Sequence, residues 1–128
     1  MLVRNYIAFM RQPSYLILMY LFVHSNARNQ PMRVHSMVKY AAIARGNAEV
    51  FIKFARSGYK EKIWDHAAGV VIVEEAGGVV TDAGVCPLDF SRGLYLEGLD
   101  RGIIACSGPI LHDKIIGAVY ASWDSSNL

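Results

Sequence analysis

From Arg33 onward the apolar and polar positions fall into two alternating rhythms. The stretch "MVKYAAIA" is rich in helix formers, follows Ser36 and ends at Gly46, so a helix is expected there with Ser36 as its N-cap and Gly46 as its stop. "EVFIKF" then switches to a period of two. Val50, Ile52 and Phe54 fall on one face of a strand and Phe51 and Lys53 on the other. A polar loop, "ARSGYKEK", leads to Trp64. The small-residue run "DHAAGVVIVEEA" predicts a second helix, ended by Gly77 and Gly78, and "GVVTD" a strand. "GIIACS" reads as a buried strand and "PILHDKIIGAVYAS" as a closing helix with Pro109 in its first turn. The order helix, strand, helix, strand, strand, helix predicts a layered α/β domain.

The first 32 residues differ in character. Their apolar run, Tyr15 to Val23, is shorter than the roughly 20 residues of a membrane span, and Arg11, Gln12 and Pro13 block its extension. Arg4 and Arg11 before a short apolar run resemble a secretory signal, but no convincing small-x-small cleavage site follows. The division expected is an apolar segment, 1–32, and an α/β subdomain, 33–128. Composition narrows the partners. With 53% hydrophobic and 19% charged residues, the chain has a globular composition. A formal charge of +2 and the lack of a basic stripe argue against nucleic acid. Cys86 and Cys106, without metal-ligand spacing, are expected as free thiols of a reducing compartment.

Few positions suggest chemistry. Ser36 and Lys39, three apart at a helix start, combine a hydroxyl, an ammonium and unpaired backbone N–H groups, a set that suits a phosphate. A serine cap followed by a solvated lysine would look the same. Lys53 alone would be a solvated sheet-edge lysine. Asp65 sits between Trp64 and a run of small residues. As a first-turn residue it gains about 0.3–1 kcal/mol from the helix dipole. The close packing that Ala67, Ala68 and Gly69 permit would also desolvate its carboxylate and favour a cation such as Mg²⁺.

The run "WDHAAGVVIVEEAGGVVTDAG" resembles the second signature of the inositol monophosphatase superfamily. "YKEKIWDHAAG", "PLDFSRG" and "HSMVKYAAIARG" are similar to the 3'(2'),5'-bisphosphate nucleotidases of that superfamily. The resemblance covers about Arg33 to Ser122. It implies the C-terminal half of a layered αβαβα sandwich that removes the 3'-phosphate of adenosine 3',5'-bisphosphate to give AMP, with Mg²⁺ as cofactor. By the same resemblance Asp65 is a metal ligand, and Ser36 and Lys39 contact the nucleotide. Lys53 stands where relatives often carry arginine, and supplies charge without the bidentate fork. His35 replaces an aspartate and inherits no role. An inositol phosphate phosphatase of the same superfamily, or a non-catalytic binding fragment, is the alternative.

The first signature of the family, an Asp-Pro-x-Asp-Gly-Thr loop that supplies most metal ligands and activates the attacking water, is absent from these 128 residues. The expectation is therefore a truncated chain, without catalytic residues of its own and inactive alone. Relatives occupy cytosol, chloroplast and mitochondrion, which implies an intracellular setting without choosing among them.

Overall fold

A computed structural model describes residues 6–9, 34, 36–54, 59–99 and 102–126. The apolar run Tyr15 to Val23 and His35 lie outside the described residues. Among the described residues four strands form one mixed sheet: β1 (Tyr6–Phe9), β2 (Val50–Phe54), β3 (Val79–Asp82) and β4 (Gly102–Cys106), in the order β1-β2-β4-β3. β1 runs parallel to β2 with Tyr6 opposite Val50, whereas β4 is antiparallel to both β2 and β3. Among the described residues the helices are α1 (Val38–Arg45), α2 (Ala67–Glu75) and α3 (Pro109–Ser126), with a short 3-10 turn at Ile63–Asp65 before α2.

The alternation expected of β2 is what builds the layers. Val50, Ile52 and Phe54 meet Ile104, Cys106, Ile115 and Val119, a core shared by the sheet and α3. Phe51 faces the other way and joins Tyr40, Ile43, Val70, Val73, Ile103 and Ala105, a core shared with α1 and α2. Adjacent side chains on a strand point to opposite faces, so one pentapeptide seeds both cores. The result is helices on both sides of a mixed sheet, the α/β layering expected from the sequence.

Two helix ends follow the expected logic and two beginnings do not. Gly46, at φ 83, closes α1 by donating its N–H to the Ala42 and Ile43 carbonyls, and Gly77, at φ 88, follows α2 in the same left-handed region. Ser36, however, is not the cap of α1. Met37 occupies that position with helical backbone angles, and no side chain caps the first turn. Nor does Asp65 cap α2: it closes the 3-10 turn, His66 stands at the N-cap, and neither helix start carries a side-chain cap. β1 was not foreseen at all.

Small residues in α2 do admit a close neighbour. A Cβ placed on Gly69 would lie 2.2 Å from Cδ2 of Tyr40, so the tyrosine ring of α1 rests directly on the α2 backbone. That contact brings Tyr40 within reach of His66, where the chemistry begins.

Candidate functional site

The packing of α1 on α2 and on β2 gathers six ionisable side chains: Lys39 and Tyr40 from α1, Lys53 from β2, and Glu61, Asp65 and His66 from the segment leading into α2. At its centre Glu61 is only 2% exposed. Its Oε2 accepts hydrogen bonds from His66 Nε2 at 2.7 Å and from Lys53 Nζ at 3.0 Å. Oε1 lies 2.7 Å from the same ammonium but off the hydrogen-bonding direction, and has no further partner among the described residues. On the far side of the imidazole, the Tyr40 hydroxyl meets His66 Nδ1 at 2.5 Å. Tyr40 and His66 are completely buried.

Roles along this chain follow from the acceptor at its end. An ionised carboxylate only accepts, so Nε2–H of His66 donates to Glu61 and Nδ1 is left to accept from the Tyr40 hydroxyl. Burial alone would raise the Glu61 carboxyl, but hydrogen bonds from His66 and Lys53, with the charge of Lys53, outweigh it and hold Glu61 below the usual range. Tyr40 is pushed far up, by burial first and then by the negative fields of Glu61 and Asp65, so it stays a phenol donor.

Lys39 is 5% exposed, and its ammonium lies over the rings of Tyr40 (5.4 Å) and Phe51 (5.2 Å). Among the described residues it has no hydrogen bond and no carboxylate at ion-pair distance. Burial and then the charge of Lys53 lower its pKa, while Glu61 and Asp65 act in the opposite direction. The stem is buried, but the nitrogen is not among the buried polar atoms that lack a partner, so it keeps contact with solvent, where an anion can reach it. Lys53 is a quarter exposed, and its ammonium also lies 5.5 Å from the Tyr59 ring centre. β2 is not an edge strand, so the solvated-edge account of Lys53 does not apply.

Asp65 is half-buried, and its carboxylate makes no hydrogen bond or ion pair among the described residues. It is thus free to bind a cation. Among the described residues no group of three or more His, Cys, Asp or Glu side chains converges as a metal cage. Asp65 fits a divalent ion as one contributor of oxygen ligands and not as a complete site. Ser36 is exposed and held at φ 59, a left-handed conformation uncommon for serine. The structure therefore puts Lys39, Lys53 and Asp65 in one electrostatic cluster and leaves Ser36 at the surface, ahead of the same helix.

Sequence reasoning missed Tyr40, Glu61 and His66. All three lie within the runs that carry the family resemblance, "HSMVKYAAIARG" and "YKEKIWDHAAG", but no role was expected of any of them. The signal was present as two ionisable residues, five apart, flanking an exposed tryptophan. Cys86 is an exposed free thiol and Cys106 a buried one, as expected. Among the described residues no helix is long and apolar enough to cross a membrane.

Comparison with known proteins places this geometry. The family model described as the inositol monophosphatase family matches residues 10–124. A 3',5'-bisphosphate nucleotidase of Arabidopsis thaliana is 84% identical over 101 residues, covering 79% of this chain and 27% of that protein. A 3'(2'),5'-bisphosphate nucleotidase of Dictyostelium discoideum is 44% identical over 93 residues, covering 73% of this chain and 27% of its own. The chain thus spans about a quarter of the length of these relatives. Among solved structures, inositol monophosphatase from Anabaena superposes with a TM-score of 0.66 at 23% identity, over 94% of this chain and 45% of that one. The Thermotoga maritima enzyme gives 0.63 at 19% identity, over 97% and 42%. The chain belongs to the inositol monophosphatase family, a family of metal-dependent phosphatases.

Proposed function

We propose that the chain carries the nucleotide-contacting part, and one metal ligand, of a Mg²⁺-dependent phosphatase that removes the 3'-phosphate of adenosine 3',5'-bisphosphate to leave AMP. The observation that carries this reading is the pair of ammonium groups, Lys39 and Lys53, beside the free carboxylate of Asp65. A bisphosphate nucleotide brings two anionic groups to be neutralised, and Lys39 lacks any anion of its own at ion-pair distance among the described residues. The names of the Arabidopsis and Dictyostelium relatives support a nucleotide rather than an inositol phosphate.

In this reading Asp65 supplies carboxylate oxygens to Mg²⁺, which prefers a few such ligands and leaves its other positions to water and substrate phosphate. Bound there, the metal supplies Lewis-acid stabilisation of the phosphoryl oxygens and a more acidic water. Lys39 and Lys53 bind and orient the nucleotide through its phosphates, and Ser36 offers a hydroxyl at the mouth of the seat. Asp65 is the only candidate metal ligand proposed from this chain, so the chain alone is expected to release no phosphate.

The test is a chimera in which residues 33–128 replace the matching stretch of the Arabidopsis relative. It is expected to hydrolyse adenosine 3',5'-bisphosphate with Mg²⁺ and to prefer it to inositol monophosphate. Asp65→Asn keeps the shape and removes the anionic oxygen, so activity should fall by at least the roughly 10–100-fold typical of residues one shell further out. Melting should hardly move, because the carboxylate caps no helix. Full activity of Asp65→Asn at ordinary Mg²⁺ would remove the metal assignment, and a preference for inositol monophosphate would remove the nucleotide.

A further inference from the structure

Neither lysine would hold its place unaided. Lys53 sits on a strand and Lys39 on a helix, and the positive charge of Lys53 is felt at Lys39 as a destabilising field. Like charges repel, and an ammonium that is a quarter exposed has an easy route into solvent on its flexible stem. Besides the Tyr59 ring, 5.5 Å away, one charged group among the described residues opposes that escape. Glu61 reaches the Lys53 ammonium with both oxygens, at 2.7 and 3.0 Å. Its own rotamer is fixed by His66, whose ring is in turn fixed by Tyr40. The backbone is pinned as well. The Glu61 carbonyl accepts the Leu96 N–H at 2.8 Å, and Ile63 N–H donates to the Leu94 carbonyl at 3.0 Å, so the segment 94–96 straps residues 61–63 in place.

We propose that Glu61 is the positioning residue of the phosphate seat: braced by His66 and Tyr40, its carboxylate holds the Lys53 ammonium at the site beside Lys39. The inference rests on the reading of Lys39 and Lys53 as phosphate contacts. It extends that reading to three buried residues that touch no substrate. A carboxylate belongs beside an anion seat only if it gives something back, since its charge opposes the ligand. What it gives is geometry. A lysine already directed at the ligand loses less side-chain freedom on binding, and ordering such a side chain is one of the standing costs of association. Because His66 follows Asp65 directly, the same brace also fixes the backbone that presents the metal-binding carboxylate.

This opposition of charge and geometry makes the test one of sign. Glu61→Gln removes a negative charge, so simple electrostatics demands tighter binding of an anion, whereas positioning demands weaker binding. The measurement is the Kd of adenosine 3',5'-bisphosphate for this 128-residue chain at low salt, with nucleotide-free melting recorded in parallel. The expected result is binding about tenfold weaker in Glu61→Gln, in line with the loss of hydrogen bonds between charged groups. Lys53→Met should weaken it similarly, and the double variant should be no weaker than Lys53→Met alone. A merely structural glutamate would instead give losses that add. Should Glu61→Gln fail to fold, Glu61→Asp keeps the charge but is one methylene too short to span Lys53 and His66, and should weaken binding in the same direction. Tighter or unchanged binding in the Glu61 variants, with Lys53→Met still weakened, overturns the inference alone. No binding by the unaltered chain, or unchanged affinity in Lys53→Met, overturns the seat and the inference with it.

Discussion

Both faces of the sheet carry an apolar cluster, but they treat charge in opposite ways. On the α3 face, Val50, Ile52, Ile104, Ile115 and Val119 close beside a buried polar pair, in which Thr81 Oγ1 meets His112 Nε2 at 2.7 Å. The Thr81 hydroxyl donates to the Asp82 carbonyl at 2.8 Å, so His112 donates to it and every polar atom of that contact is used. On the α1–α2 face, Lys39, Tyr40, Glu61 and His66 are all buried beside Phe51 and Val70. There a buried Glu61 oxygen makes no hydrogen bond, and the Lys39 ammonium has no anion at ion-pair distance among the described residues. Polar groups buried for stability alone are normally satisfied. The first face has the character of a support, and the second is the one to which the proposed function assigns binding.

The sharpest way to break this comparison is to push the two helices of the charged face apart. Gly69→Ala sets a methyl 2.2 Å from a Tyr40 ring carbon that the bond to His66 prevents from retreating freely. Overfilling a packed site typically costs about 1–3 kcal/mol, and this contact belongs at the upper end. A drop in melting temperature of about 10 °C is expected for a chain of this size. Because Tyr40 braces His66 and hence Glu61, nucleotide affinity should fall as well, even under conditions where the variant is fully folded. A melting temperature within a degree or two of the unaltered chain would mean that α1 and α2 are not locked through this ring.

That contact marks how far the sequence was legible. Period-two alternation in Val50–Phe54, the glycine stops at Gly46 and Gly77, and the breaks before Val79 and Gly102 all depend on neighbours along the chain, and each was readable. The run Ala67-Ala68-Gly69 signalled a close approach, but Ala68 is exposed and the group that meets Gly69 is the Tyr40 ring, which nothing local announces. The brace joins residues 26 and 5 positions apart, through a hydroxyl and an imidazole whose partners only the fold supplies. The cap expected at Ser36 and the first-turn place expected of Asp65 failed for a related reason. Both are favoured cap types one or two residues before a helix, yet Ser36 takes a left-handed turn and Asp65 closes a 3-10 turn. β1 was missed because four residues of weak pattern pair only through β2.

The next test uses pH to separate the faces. Burial lowers the His112 pKa below its ordinary value of 6.5, with Asp113 opposing only in part. A histidine with a depressed folded pKa binds fewer protons folded than unfolded. Its contribution to stability is complete above about pH 6.5 and is lost as pH falls from there through the folded pKa. Glu61 acts lower. Its folded pKa is depressed below 4.5, so its contribution is complete above that value and lost only as pH falls below it. Melting followed between pH 7.5 and about pH 5 should therefore report the α3 face first. His112→Gln should flatten that part of the profile, at a cost of roughly 1 kcal/mol at neutral pH for a weaker bond to Thr81. An unchanged slope in His112→Gln would assign the acid sensitivity elsewhere and remove this distinction between the faces.

The smallest effect comes from the matching glycine on the supporting side. Gly117 lies inside α3 on its exposed surface, and a Cβ there would meet nothing within 4 Å. Nothing in its position calls for glycine: it lies within a continuous helix and is absent from the residues with positive φ. Glycine in a helix interior costs about 0.5–1 kcal/mol relative to alanine, chiefly through the freedom it has in the unfolded chain. Gly117→Ala should therefore raise the melting temperature by a few degrees and leave nucleotide affinity untouched. The same Gly→Ala change would then stabilise one face and destabilise the other, separating a glycine kept for contact from one that is merely tolerated. A loss of stability in Gly117→Ala would show that the outer surface of α3 is covered in solution, and that the supporting face has a neighbour of its own.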